Sequence, residues 1–263
     1  MALSTASGPD GFPNSSKQPF PWLCSGELTT TSSEVVKAGQ LSVGAPLASY
    51  SSIMASGQHP ASVPDWNNLD ILHKNTLPAR AYFHNYTSEA DALDADITKS
   101  KTHSLSGTWK FQHAYSPFEA PEGFESAAYD TSSWSDIAVP GMWQLQGFGK
   151  GPQYTNVIYH IPVDPPNVPF TENETGSYVR KFSVPQELKH GQIRLRFEGV
   201  DAAFHVWVNG KEVGYSQGSR NPDEFDVTAL VDLNAENTLA VRVYQHCDGT
   251  YIEDQDQWWL SGM

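Results

Sequence analysis

The residues FHVWVNGKEVGY at positions 204–215 decide the fold class of this chain. Residues 204–208 and 211–215 are rich in the β-branched and aromatic types that favour strands. Between them lies Asn209-Gly210, the residue pair that best accommodates a positive φ angle at both central positions of a two-residue turn. The stretch therefore predicts a tight antiparallel β-hairpin.

Further short strands are predicted on both sides of this hairpin. Ile193, Leu195 and Phe197 share one face of a predicted strand. The predicted strands besides the hairpin are 104–111, 134–140, 177–184, 192–198, 225–227 and 237–244. Many short strands separated by Gly, Pro and Asn, with scarcely a long helix, predict an all-β sandwich of the jelly-roll type.

The chain divides into three predicted segments. Residues 1–64 are dominated by Ser, Thr, Gly, Ala and Pro without a sustained apolar period, which predicts a low-complexity, disordered tail. Residues 65–103 predict an extended arm with short helical turns, and residues 104–263 contain the sandwich. The text from Met54 onward reads like an ordinary protein start, so one hypothesis makes Met54 the physiological initiator.

Charge and composition exclude several classes of partner. The formal net charge is -14, with 30 acidic and 16 basic residues, which opposes binding to nucleic acid or to an anionic membrane surface. The sequence shows neither a signal peptide nor an apolar run long enough for a membrane anchor. Two cysteines, Cys24 and Cys247, are read as free thiols. These features predict a cytoplasmic protein.

Common catalytic and metal-binding motifs are absent from the sequence. No spacing of His, Cys, Asp and Glu resembles a zinc site, and His205 is read as a core histidine. There is no GxSxG elbow, no P-loop and no GxGxxG after a strand. Nucleophilic serine, nucleotide and dinucleotide chemistry are therefore unsupported.

The richest candidate site is the final stretch, residues 250–263, which combines carboxylates, amides and aromatic rings. Carboxylates and amides bind hydroxyl groups and an indole covers the apolar face of a pyranose, so this mixture suits a sugar. If the segment is extended, Asp254 and Asp256 lie on the same side, and no sequence feature marks either as desolvated. Elsewhere, Trp143 is read as a packing residue, and Asn156 as either a turn amide or a group that binds hydroxyls.

Several strings of residues, in order, resemble one known family. They are GTWKF at 107–111, VPGMWQ at 139–144, YTNV at 154–157, PPNVP at 165–169, FHVWVNG at 204–210, GYSQGSR at 214–220 and YIEDQDQW at 251–258. Together they resemble the amino-terminal part of the large lactose-hydrolysing β-galactosidases of glycoside hydrolase family 2. The resemblance covers about residues 65–263.

The resemblance implies a galactose-binding-like jelly roll that precedes immunoglobulin-like domains and a catalytic barrel. The family's catalytic glutamates and magnesium ligands lie in the barrel or beyond, so no catalytic residue is expected in this chain and the isolated chain is predicted to be inactive. By resemblance, Asn156 and Asp256 contact the galactoside, and Asp256 also binds a sodium ion. Glu253 and Asp254 would have supporting roles. Trp259 departs from the bacterial form, which has a basic residue after a single Trp.

The resemblance also bears on partners and leaves alternatives open. Tetrameric members carry an arm across a subunit interface, so the arm at 65–83 either crosses such an interface in a homo-oligomer or packs on its own sandwich. The leading hypothesis is the amino-terminal, sugar-binding portion of a retaining β-galactosidase. The alternatives are a stand-alone carbohydrate-binding or fragment-complementing module, and an incomplete gene model.

Overall fold

Alternating apolar residues and tight turns build two antiparallel sheets and one two-stranded ladder. The computed structural model describes residues 2–6, 63–156 and 158–263. The strands are β1 (Ala2–Ala6), β2 (His73–Lys74), β3 (Thr102–Ser104), β4 (Gly107–Ala114), β5 (Ser135–Val139), β6 (Gln153–Thr155), β7 (Thr175–Phe182), β8 (Gln192–Phe197), β9 (Ala203–Val208), β10 (Lys211–Gln217), β11 (Asp223–Asp226), β12 (Asn237–Tyr244) and β13 (Gln257–Trp259).

The larger sheet has seven strands in the order β2-β10-β9-β12-β7-β4-β5, and the smaller has the order β11-β8-β1-β3. One apolar core takes side chains from both sheets, because the inward positions of each strand are apolar. Its members include Phe111, Tyr178, Val206 and Val241 from the larger sheet, and Ile193, Leu195, Phe197 and Phe225 from the smaller. This arrangement confirms the predicted all-β sandwich.

The central hairpin forms as its sequence predicts. Strands β9 and β10 pair antiparallel, and Asn209 and Gly210 have φ angles of 52° and 77°. The Asn209 side chain also donates to the Leu230 carbonyl at 2.9 Å and to Asn237 Oδ1 at 2.8 Å. The turn therefore joins the hairpin to the start of β12 as well as reversing the chain.

Helical segments are short throughout the described residues. Two are α-helical, at Glu89–Asp94 and Thr250–Glu253. The 3₁₀ segments are Asp65–Asn67, Ile97–Lys99, Trp143–Gln146 and Gln186–Leu188. None of the helices in these parts of the chain is both long and apolar enough to cross a membrane.

Part of the predicted tail belongs to the smaller sheet. Residues 2–6 form β1, which pairs antiparallel with β3 and with β8. This differs from the disordered segment expected for these five residues, because a strand inserted between two others is held by backbone hydrogen bonds that need no apolar period. The rest of the predicted tail up to residue 62, with Met54 and Cys24, lies outside the described residues.

The arm packs on its own sandwich. Trp66 is buried and its ring centroid lies 5.2 Å from that of Phe170. Strand β2 covers the edge of the larger sheet by pairing with β10. Asp65 accepts from Lys74 Nζ at 2.5 Å and lies 2.9 Å from His205 Nε2, and the hydrogen bond with His205 is the main cause of a lowered pKa of Asp65. These contacts hold the arm against the sandwich of the same chain.

Candidate functional site

The ladder of β6 and β13 brings together the two residues that the sequence analysis selected. Thr155 pairs with Gln257, and Trp258 with Tyr154, in antiparallel register. Asn156 directly follows β6 and Asp256 directly precedes β13, so the antiparallel register brings both residues to the same end of the ladder. Both are exposed at the surface. Asn156 and Asp256, one hundred positions apart in the sequence, thus contribute to a single candidate site.

Aromatic side chains extend this site beside the carboxylate. The hydroxyl of Tyr154 donates to Asp256 Oδ1, and this bond raises the pKa of Tyr154. The rings of Tyr154 and Trp258 lie 5.4 Å apart, and 44% and 55% of their respective surfaces are exposed. An exposed pair of rings next to a carboxylate can cover the C–H face of a sugar while the carboxylate accepts from its hydroxyl groups.

The prediction that Asp254 and Asp256 share one side of an extended segment is wrong. Residues Thr250–Glu253 form a helical turn, and Asp256 has a φ of 53°, so the chain reverses direction here. Asp254 is 4% exposed, whereas Asp256 is exposed. The carboxylates of these two residues therefore meet different environments.

Asp254 is also desolvated, which the sequence did not indicate. Burial raises the pKa of Asp254 to about 6, with Arg220 opposing the shift. Burial, followed by the nearby charge of Asp254, raises the pKa of Asp201 to about 7. Because the Asp254 residue is only 4% exposed and the Asp201 side chain only 13%, we interpret them as a structural pair rather than as groups that contact a substrate.

A polar framework holds this pair and the helical turn. Glu253 Oε2 accepts from Ser219 Oγ at 2.6 Å and from the Ser219 backbone N–H at 3.2 Å. Arg220 donates to Gln257 Oε1 at 2.7 Å and lies 3.6 Å from Asp201 Oδ2. The sequence analysis missed Asp201 and Arg220, since a lone Asp and a lone Arg carry no recognisable spacing. The bond from Arg220 fixes β13 next to Asp256.

The raised pKa values make a prediction about stability. Between about pH 4 and 7 the folded chain keeps protons on Asp201 and Asp254 that the unfolded chain has released, so the free energy of unfolding falls as pH rises through this window. The Asp254→Asn variant lacks one of these protons, so its free energy of unfolding should fall less with pH than that of the parent. We expect the variant's stability relative to the parent to be about 1–3 kcal/mol more favourable at pH 8 than at pH 4. Urea unfolding at both pH values measures it, with exposed Asp136→Asn as control. An equal difference at the two pH values would contradict it.

Three further residues resolve alternatives from the sequence. Trp143 is fully buried in the core, which confirms its assignment as a packing residue. Trp259, adjacent to exposed Trp258, is 3% exposed and its ring lies 4.7 Å from that of His246. His205 has one of its two ring nitrogens bonded to Asp65, while Nδ1 is buried without a hydrogen-bond partner. His205 is thus a core histidine that is only partly satisfied.

Asp256 is the one residue of the candidate site that the resemblance assigns to a metal ion. In the described portion of the chain, no three His, Cys, Asp or Glu residues are grouped to hold a metal ion. Asp256 uses Oδ1 for the Tyr154 hydroxyl, and its second carboxylate oxygen is a hard ligand of the kind that cations such as sodium accept. Asp256 fits the role of one ligand, and the remaining ligands would have to come from outside this group of residues.

Comparison with known proteins identifies relatives of this chain. The model of the glycosyl hydrolases family 2 sugar-binding domain matches residues 102–263. A β-galactosidase of Psychromonas ingrahamii is 43% identical over 199 residues, covering 76% of this chain and 19% of the relative. β-Galactosidase 2 of Enterobacter cloacae is 44% identical over 200 residues, with the same coverage of each chain, 76% and 19%.

Solved structures give weaker matches. The β-glucuronidase of Bacteroides uniformis is 26% identical, with a TM-score of 0.39. The match covers 53% of this chain and 14% of the glucuronidase chain. The chain spans about 19% of the length of the curated relatives that it matches. The ladder of β6 and β13 lies within residues 102–263, the region that the family model matches. The chain belongs to glycoside hydrolase family 2 and contains the family's sugar-binding domain.

Proposed function

We propose that this chain is the amino-terminal, sugar-binding part of a retaining β-galactosidase that hydrolyses terminal β-D-galactosides such as lactose. The observation that supports this most is the pairing of β6 with β13, which brings Asn156 and Asp256 to one end of the ladder beside two exposed aromatic rings. These groups form one wall of a site. The acid/base and nucleophile needed for retention would be supplied by a catalytic barrel outside this chain.

In this proposal Asp256 accepts from galactose hydroxyl groups and contributes one oxygen to a sodium ion, while Asn156 donates and accepts through its amide. Magnesium belongs to the barrel. The chain's partners are the galactoside, the remaining domains of the enzyme and further copies in a homo-oligomer, and its compartment is the cytoplasm. The proposed boundaries are a tail at 1–64, an arm at 65–103 and the sugar-binding domain at 104–263.

A chimaera tests the proposal. The whole 263-residue chain would replace the matching amino-terminal segment of the Psychromonas ingrahamii relative, so that strand β1 is kept. Both the chimaera and the isolated chain would be assayed with a chromogenic β-galactoside. We expect turnover by the chimaera and none by the isolated chain. Turnover by the isolated chain, or a folded chimaera that binds no galactoside, would overturn the proposal.

A second candidate is a stand-alone carbohydrate-binding module. The exposure of Tyr154 and Trp258 favours it, because such rings can bind a sugar without a barrel. Titration calorimetry of the isolated chain with galactose separates the two candidates. Tight binding by the chain alone supports the module, whereas one wall of a composite site binds too weakly for heat to be detected.

A further inference from the structure

A buried polar pair, Asn173-Glu174, directly precedes β7 of the larger sheet. Asn173 and Glu174 are 0% and 1% exposed. Asn173-Glu174-Thr175 matches the pattern of a glycan acceptor, but all three residues are buried in the folded chain. The amide and the carboxylate are therefore available for internal contacts, and the structure shows what each of them holds.

Glu174 holds the loop that leads into β6. Its Oε1 accepts from the Lys150 backbone N–H at 3.0 Å, and its Oε2 lies 3.1 Å from His113 Nε2. The loop passes so close to the carboxylate that a Cβ on Gly149 would lie 2.1 Å from Glu174 Oε2. Gly149 also has a φ of 68°, which a side chain would disfavour. From Lys150 the chain runs directly into β6 and Asn156.

Asn173 holds the chain that leads into β13. Its side chain accepts from the His246 backbone N–H and donates to the His246 carbonyl, both at 2.9 Å. The His246 ring contacts Trp259, which is part of β13. Burial lowers the pKa of His246 to about 3, so this ring stays neutral where it packs. The adjacent Glu174 carbonyl accepts from the Gln245 N–H at 2.9 Å, which adds a third bond to the same segment.

We propose that Glu174 and His113, together with Asn173, are positioning residues that fix Asn156 against Asp256. A buried carboxylate bonded to a backbone N–H restrains the loop more strongly than a surface contact, because the site excludes competing water. These two adjacent residues hold two different segments, one that leads into β6 and one whose His246 ring contacts Trp259 of β13, so they set the spacing between the two strands. The consequence for sugar affinity rests on the proposed function, but the geometric coupling does not.

Amide hydrogen exchange of the 263-residue chain tests the coupling without any substrate. In Glu174→Ala we expect exchange to accelerate about tenfold at Lys150 and also within 153–156 and 257–259, since one charged hydrogen bond is lost. Glu174→Gln keeps an acceptor for the Lys150 N–H and should restore most of the protection. Glu236→Ala, at an exposed residue that pairs with Lys181 at 3.3 Å, is the matched control.

Two outcomes would overturn the proposal. In the first, exchange increases in 147–151 alone and the ladder keeps its protection. In the second, exchange increases equally throughout β4, β7 and β12, which shows a general loss of stability. If Glu174→Ala does not fold, His113→Gln is measured in the same way, and an unchanged ladder there also rejects the coupling. Titration of the parent chain with a galactoside, followed by NMR, separates this coupling from the proposed function. If the parent chain binds no galactoside, the proposed function is refuted, whereas the hydrogen-exchange result still decides the coupling.

Discussion

Replacement of Asp256 by Ala in the chimaera is expected to lower kcat/KM for a β-galactoside by about 10- to 100-fold, the effect of losing hydrogen bonds to a charged group. The carboxylate is exposed, precedes β13 and is oriented by the Tyr154 hydroxyl. Tyr154→Phe removes that donor and leaves the carboxylate, so a smaller loss is expected for it. Initial rates over a range of substrate concentrations measure both variants.

The matched control is Asp136→Ala, which removes an exposed carboxylate whose ion pair with Lys110 is distant in sequence from the candidate site. It should leave kcat/KM unchanged. Equal losses for Asp256→Ala and Asp136→Ala would mean that the activity responds to surface charge in general. Parent-like activity of Asp256→Ala would remove Asp256 from the binding site.

Replacement of Glu224 by Ala is expected to destabilise the chain by about 3–5 kcal/mol, because it leaves the buried Arg196 and two partly buried guanidinium groups without their counter-charge. The Glu224 side chain is 4% exposed and accepts from Arg80 at 2.6 Å, with Arg194 and Arg196 each at 3.2 Å. Burial opposes ionisation of Glu224, but the bonds from Arg80 and then Arg196 outweigh it and lower its pKa. Arg80 belongs to the arm, so this carboxylate ties the arm to the smaller sheet.

Urea unfolding at neutral pH measures the change, with Glu236→Ala as control because its pair with Lys181 is exposed and should contribute only about 0–1 kcal/mol. The contribution of Glu224 is present above the pKa of the unfolded carboxyl group and is lost as pH falls through the lowered folded value. The free energies of unfolding of Glu224→Ala and Glu236→Ala should therefore become more alike in acid. Equal stability at neutral pH would show that the arginines find other partners and that the network does not hold the arm.

Long alternating stretches made much of the sandwich predictable. Strand β12 has the predicted bounds, and β8 differs from its prediction by one residue, because each buries every second side chain in the common core. Strands β1, β2, β6 and β13 were not predicted. Each is two to five residues long and is held mainly by backbone pairing with distant segments. Such pairing leaves little periodicity in the sequence.

The candidate site shows the same division. The resemblance predicts Asn156 and Asp256 as site residues, and their place at the same end of the ladder follows from the β6 and β13 register, which no local pattern encodes. The error at Asp254 arose because the helical turn at 250–253 and the positive φ of Asp256 depend on tertiary contacts with Ser219 and Arg220. Asp201 was missed because its neighbour Asp254 lies far away in sequence and becomes close only in the fold.

The most direct test of the central claim is an NMR titration of the chain with methyl β-D-galactoside, since chemical shifts report weak binding that heat does not. The account predicts that the amides and side chains of 154–156 and 254–258 shift with galactoside concentration, and that they respond less to the corresponding glucoside. Shifts confined to other parts of the sandwich, or none at saturating galactoside, would contradict a sugar-binding role for this face.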